Sequence, residues 1–286
     1  MEIRVDHVTI AGSDLDALRR AFADAGLATE YGGLHSNGIT HMALLGFDDG
    51  SYIELISTAT PARSAPWWPE HISGDAGPCA WCARVGNLGA ECERLKQLGI
   101  PVRGPSSYHR DRPDGGRVEW DLADVGAGER GVVLPFLIED RTPRTLRVEP
   151  SPSVSGTELT GVMRVVIGVR DAVWSAALFE QVYGWIRRET RPEPAFGATV
   201  VQFRGTPVTL AAPLGDGWLA ERLDRFGECP AAFLLSSGNL DASAARLPAT
   251  RPGTWLGRPV LWFDRERLCG VRLGIIQDDG KIYRQR

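Results

Sequence analysis

Residues 5–27 read VDHVTIAGSDLDALRRAFADAGL, and this stretch decides the fold because its layout returns three more times. A strand pattern rich in apolar and β-branched residues runs into an acidic or amide residue. An apolar residue, usually Leu, follows, and then a helix with one apolar face. The later copies are CAWCARVGNLGAECERLKQLGI from Cys79, VMRVVIGVRDAVWSAALFEQVYGW from Val162 and AAFLLSSGNLDASAARL from Ala231. Asp14, Asn87, Asp171 and Asn239 align all four, and Asp14 sits where a helix N-cap belongs. The period exceeds that of the common solenoid repeats and suits a βαβββ unit duplicated twice.

Each copy ends in a strand introduced by glycine: GSYIELI from Gly50, GVVLPFLI from Gly131, GTPVTLAA from Gly205 and GVRLGII from Gly270. Aligning the glycines sets Glu54, Pro135, Thr209 and Gly274 in one column. Counting back from the caps sets His7, Ala80, Arg164 and Ala232 in another. The first copy shows the unit in full. Ile3 to Ile10 is a strand, and Leu15, Leu18, Ala21, Phe22 and Ala25 recur at helical spacing up to Gly26. Tyr31 to Gly38 is a glycine-rich loop or short strand, and Thr40 to Gly46 is a third strand. Asp48-Asp49-Gly50 is a hairpin turn, and Ser51 to Ser57 is a fourth strand. One helix followed by sequential strands leaves one sheet face free to curve around a pocket.

The chain has 286 residues, 43% of them apolar, enough for packed cores. Its 32 basic and 36 acidic side chains leave a net charge of −4 with no basic stripe, which argues against nucleic acid as a partner. No apolar run is long enough to span a bilayer, and MEIRVDHVTI lacks the layout of a signal peptide, so no membrane partner and a cytoplasmic location are expected. Of the five cysteines, Cys79 and Cys82 form a C-x-x-C inside an apolar strand. Residues three apart on a strand face opposite ways, so these are read as buried thiols. The Pro- and Ser-rich VEPSPSVSGTEL, residues 148–159, divides the chain into domains 1–150 and 156–286. Nucleotide-binding glycine loops and the G-x-S-x-G elbow are absent from the sequence.

The segments DHVTIAGSDLDAL, GGLHSNGITHMALLGFDDGSYIELI, RDRPDGGRVEWDLAD and LPFLIEDRTPR resemble the vicinal oxygen chelate superfamily, and within it the glyoxalase-like domain proteins. The superfamily includes glyoxalase I, bleomycin-resistance proteins and extradiol dioxygenases. The resemblance implies an α+β fold of four βαβββ modules forming two glyoxalase-like domains, each a half-barrel around a small-molecule site. In its metal-dependent members, a His on the first strand and a Glu on the fourth strand of each module bind a divalent ion. His7 and Glu54 match that pattern and are the candidate catalytic and metal-binding residues. Ala80 and Pro135 supply no ligand opposite them, and Arg164, Thr209, Ala232 and Gly274 supply none in the second domain. The implied cofactor is therefore at most a weakly bound divalent metal, with His35 or His41 as the residue that could complete the site.

All five histidines fall in the first domain. His35, His41, Arg110, Arg112 and Trp120 are the candidate ligand-binding residues, the arginines because a guanidinium captures carboxylate or phosphate in bidentate fashion. Arg110, Asp111, Arg112 and Asp114 equally suit a solvated, ion-paired hairpin. Trp67, Trp68 and Trp120 suit either a pocket wall or plain core. His71 and His109 are expected on loops facing water. The first domain is thus expected to hold a pocket that binds or transforms a small anionic or carbonyl-bearing metabolite, any turnover being that of a lyase or isomerase. One alternative is a metal-dependent lyase, isomerase or dioxygenase using His7 and Glu54. Another is a non-catalytic binder of the resistance type, and a third is a scaffold whose second domain makes a homodimer.

Overall fold

A computed structural model describes residues 3–60, 63–111 and 115–278. The first module is β1 (Arg4–Ala11), α1 (Leu15–Asp24), β2 (Glu30–Leu34), β3 (Thr40–Gly46) and β4 (Tyr52–Thr58). A short helix α2 (Pro69–Ser73) leads to the second: β5 (Gly77–Arg84), α3 (Leu88–Gln97), β6 (Val102–Asp111), β7 (Arg117–Val125) and β8 (Phe136–Asp140). After α4 (Arg144–Arg147) comes the third: β9 (Leu159–Gly168), α5 (Ala172–Tyr183), β10 (Arg187–Glu193), β11 (Ala198–Phe203) and β12 (Val208–Pro213). Helix α6 (Trp218–Phe226) precedes the fourth: β13 (Cys229–Ser237), α7 (Leu240–Arg246), β14 (Thr250–Trp255), β15 (Arg258–Phe263) and β16 (Leu273–Gln277). All four aligned residues are N-caps. The side chains of Asp14, Asn87, Asp171 and Asn239 each accept a backbone N–H from the first turn of α1, α3, α5 and α7.

The strands form two eight-stranded sheets, ordered β2-β3-β4-β1-β5-β8-β7-β6 and β10-β11-β12-β9-β13-β16-β15-β14. These are two glyoxalase-like domains of mixed α+β structure, each with its first strands antiparallel at the centre. His7 pairs with Cys82 and Thr9 with Ala80, the reciprocal pattern required if Ala80 repeats His7. One column moves. Thr9 pairs with Glu54, and Cys82, the repeat of Thr9, pairs with Phe136 rather than Pro135. The reason is local: residues 131–135 make a turn and bends before β8 begins, which inserts one residue. Phe136 therefore faces Glu54 across the first domain. Thr209 and Gly274 keep their places, paired with Val166 and Leu234.

Pairing across the central strands skips Asp6, Cys79, Met163 and Ala231, one residue at the same position of each module, and β9 skips Thr160 besides. Each skipped residue turns toward the face of its successor, as the extra residue of a bulge does. Cys79 consequently joins Ala80 and Cys82 in one apolar cluster, where strict alternation would have sent it to the opposite face. Both thiols are free, and burial pushes their pKa values well above the ordinary range, as expected of inert core cysteines.

One hydrophobic core runs through both domains, from Val8, Phe22 and Ile53 to Val165, Phe179 and Leu273. Strand β5 lies against β13, and β1 and β4 lie against β9. Contact is closest at Gly161, where an added Cβ would fall 1.9 Å from the Asp49 carboxylate. Residues 148–159 are not a free tether. Ser151 and Gly46 exchange backbone and hydroxyl hydrogen bonds, and Ser153 donates to the Ala28 carbonyl. Val154 is buried in the common core. Among the described residues no helix is long and apolar enough to cross a membrane.

Candidate functional site

The bulge at Asp6 lets two consecutive residues reach the concave face of the first sheet. His7 Nδ1 lies 2.8 Å from Asp6 Oδ1. Arg147 donates to both oxygens of Asp6 at 3.1 and 2.9 Å, and Arg144 also donates to Oδ2. Burial alone would raise the Asp6 pKa, but Arg147, His7 and Arg144 hold it well below the ordinary carboxylate range. An ionised carboxylate only accepts, so Nδ1 of His7 carries the proton and Nε2 points toward the cavity. The ring is stacked on Tyr52 at 4.6 Å.

Glu54 lies beside it on β4, 6% exposed. Its Oε1 accepts from His35 Nε2 at 3.1 Å, and its Oε2 is 3.4 Å from the Thr9 hydroxyl and 3.7 Å from His7 Nε2. On the far side of His35, Nδ1 is 2.9 Å from the Thr40 hydroxyl, which Asn37 supports at 3.0 Å. Burial pushes the Glu54 pKa up, but the hydrogen bond and charge of His35, with His7 and Thr9, outweigh it, and the net shift is downward. Glu54 is thus a carboxylate at neutral pH, with Oε1 held by His35 and Oε2 by the Thr9 hydroxyl, and it borders the cavity.

The cavity above this pair measures about 70 Å³, and its walls are mostly apolar, with Tyr52, Trp67, Trp68, Tyr108, Trp120 and Phe136 among them. Trp68 has a left-handed backbone, φ 51°, unusual for a bulky residue. Its indole donates to the Arg130 carbonyl at 2.8 Å and its own N–H to Glu129 at 2.6 Å, which fix that turn. The Arg130 guanidinium lies 4.8 Å from the centre of the Trp67 ring. It donates to Asp124 at 2.6 Å and to the Tyr108 hydroxyl at 3.3 Å. Burial disfavours its charge, but Asp124 and Tyr108 more than offset that, so a stable cation borders the cavity.

His7, His35, Glu54, Arg110 and Trp120 all line this cavity. His41 does not. It lies on the other face of β3, with its ring edge against Tyr31 and Asp16 and Asp14 of the α1 region as charged neighbours. The alternation that turns Met42 and Leu44 inward turns His41 away. Arg110 donates to the carbonyls of Gly32 and Arg147 at 3.2 and 2.7 Å, so it braces the rim. Arg112 lies outside the described residues. His109 is exposed at the mouth on β6, while His71 is buried in α2 rather than on a wet loop. Sequence reasoning missed Asp6, Arg130 and Arg147. The one available signal was the place of Arg130 directly before the strand-introducing Gly131.

A divalent metal fits these donors poorly. His7 and Glu54 face Ala80 and Phe136, which carry no ligand atom. Among the described residues the one group with three ligand atoms mutually within 4.8 Å is Asp6, His7 and Cys82. There Asp6 is already neutralised by two arginines, and burial keeps the Cys82 thiol protonated. In the second domain the corresponding concave face is filled by Met163, Phe196, Leu234, Trp255 and Leu256, with Trp218 and Trp262 packed on them. Its Arg164 donates to the Thr206 carbonyl at 3.0 Å.

A family model described as a glyoxalase-like domain matches residues 5–183. The chain belongs to the glyoxalase-like domain family. This places it in the vicinal oxygen chelate superfamily, as the segments around His7 and Glu54 led us to expect. A hypothetical protein from Staphylococcus aureus is similar along nearly the whole length, with a TM-score of 0.66 at 13% identity over 96% of this chain and 99% of that one. That likeness is one of fold and spans both domains. Methylmalonyl-CoA epimerase from Mycobacterium tuberculosis matches at a TM-score of 0.39 and 20% identity, over 43% of this chain and 91% of that one. A methylmalonyl-CoA epimerase in complex with methylmalonyl-CoA and ammonium matches at 0.37 and 17%, over 43% and 97%. No curated protein matches this member of the family.

Proposed function

We propose that the first-domain cavity binds a small anionic or carbonyl-bearing metabolite and that Glu54 takes a proton from it, the chemistry of a glyoxalase-type lyase or isomerase. The observation that carries this reading is the state of Glu54. It is an almost buried carboxylate on the cavity wall, ionised at neutral pH, anchored through Oε1 to His35 at 3.1 Å and held at Oε2 only by the longer 3.4 Å contact from the Thr9 hydroxyl. A carboxylate of lowered pKa is a weak base, so the substrate proton must be acidified in place. Arg130 supplies a positive charge at the aromatic wall where an enolate or carboxylate oxygen would gain by it. His7 Nε2, 3.7 Å from Glu54 Oε2, adds a second polar group to the same wall. The aromatic walls exclude water and strengthen each of these interactions.

The modest basicity of Glu54 also favours a second reading, a non-catalytic binder of the resistance type. One experiment separates the two. The protein is incubated in D2O with a panel of small 2-oxo acids and other carbonyl compounds, and loss of the C–H signal next to the carbonyl is followed by NMR. Wild type should catalyse exchange in at least one compound. Glu54→Gln, which keeps shape and removes the charge, should slow it by about a hundredfold or more. Thr209→Val, at the matching position of the third module, should leave it unchanged. Exchange that survives in Glu54→Gln would rule out Glu54 as the base. A ligand-induced rise in melting temperature without exchange would establish the binder instead.

A further inference from the structure

Where α6 meets the first domain lies a second cavity of about 310 Å³, bounded by Pro78 of β5 and by Trp218, Arg222, Arg225, Arg265 and Arg272. It shares no lining residue with the Glu54 cavity. Among the described residues Glu221 is the one carboxylate on its wall, so four arginines minus one glutamate leave an excess of three positive charges. The neighbouring acids are engaged elsewhere, Asp224 with Arg170 and Asp264 with Arg251.

The four arginines are not equivalent. Arg222 donates to the carbonyls of Ala76, Pro78 and Pro230, and thereby fastens the two domains together. Arg225 donates to the Gly74 carbonyl at 2.9 Å and Arg265 to that of Gly270 at 3.5 Å. Arg272 differs. Its guanidinium carbon sits 3.4 Å from the centre of the Trp218 ring, and its buried Nε has no hydrogen-bond partner. Stacking holds the group flat while its donors, five in a guanidinium, go without an acceptor among the described residues. Burial, with Arg265 and Arg222 close by, pulls the Arg272 pKa down to about 9, so the charge is destabilised where it stands. A planar fork of this kind, stacked and unsatisfied beside further arginines, is complementary to an oxyanion. A monoanion would leave most of the excess charge uncompensated.

We propose that this cavity is an anion site of the second domain that takes a dianionic oxyanion, the phosphate group of a small metabolite, with Arg272 as its central ligand. Titration of the whole protein with inorganic phosphate at fixed ionic strength tests it, read by calorimetry and by melting temperature. Saturable binding is expected, weakened about tenfold or more by Arg272→Leu. Arg265→Ala, an exposed change, should weaken it by a smaller factor and serves as the deciding variant should Arg272→Leu fail to fold. Without phosphate, Arg272→Leu should melt no lower than wild type, because it removes an unsatisfied cation. Acetate should bind at least about tenfold more weakly than phosphate. Arg130→Gln should leave the phosphate isotherm unchanged. Absence of saturable binding, an affinity unmoved by the Arg272 and Arg265 changes, or acetate binding as tight as phosphate would each overturn the proposal. Phosphate binding lost in Arg130→Gln would overturn it too, by moving the anion to the Glu54 cavity.

Discussion

His71 shows at the scale of one residue what burial does to a titrating group. Its ring is 4% exposed, stacked on Phe226 of the second domain, with neither nitrogen hydrogen-bonded. Glu129 Oε2 is 3.6 Å away, beyond hydrogen-bonding reach. Burial, together with the charge of Arg222, pulls its pKa from 6.5 to about 4. The folded state therefore holds the ring neutral while the unfolded chain takes up a proton. Stability from this site is complete above about pH 6.5 and is lost as pH falls toward 4, by about 2 to 3 kcal/mol in all. His71→Phe, which keeps the stacking, should flatten that loss. Urea unfolding between pH 7.5 and 4.5 measures it, and parallel curves for wild type and variant would refute it. The cause lay beyond reading from the sequence, because Phe226 and Arg222, which bury and charge the site, stand far away along the chain.

At the scale of the element, the caps were legible because capping is local. A short acceptor side chain before an apolar helical run meets the first free N–H groups whatever surrounds it. Asp171 accepts from both Val173 and Trp174 at 2.9 Å and starts the longest helix of the described chain. Asp171→Ala should cost about 1 kcal/mol and Asp171→Asn much less, read as a shift of the urea midpoint at constant slope. An equal loss in both variants would mean that charge at the helix start, rather than the hydrogen bond, carries the effect. The strand column was legible for three modules and slipped by one in the second. The insertion at residues 131–135 is anchored by Trp81, whose backbone N–H and indole bond to the Gly131 and Val133 carbonyls at 3.0 and 2.9 Å. Nothing in GVVLPFLI by itself announces that anchor.

At the scale of the whole molecule, the divided sequence and the shared core pull in different directions. The Pro and Ser content of residues 148–159 suggests a hinge, yet the stretch is bonded to β3 and packed into the common core. We propose that segments 1–150 and 156–286 are two sheets of one cooperative unit. Leu247 is fully buried in the second domain, 2.8 Å from where a Cβ on Gly26 would sit at the end of α1. Leu247→Ala should lower a single calorimetric transition by about 2 to 5 kcal/mol without splitting it. Two separate transitions, one unmoved by the change, would show independent domains.

The sequence by itself determined the repeat, the helix starts and the family, and it brought forward His7, Glu54 and His35 as candidates for the site. Each of these depends on short-range patterns: strand alternation, helical spacing, a cap, a glycine before a strand. Tertiary structure alone decided which side chains surround those three residues and which sheet leaves its concave face open. Asp6 enters only because a bulge in the β1–β5 pairing turns it beside His7. Arg147 and Arg130 arrive from segments remote in sequence, and His41 leaves because its strand faces it toward α1. The second domain repeats the fold but fills its own concavity with Phe196, Trp255 and their neighbours. A strand pattern tells inside from outside. It does not tell whether the inside is packed or open, because that depends on the volume of side chains that meet only once the sheet has curved.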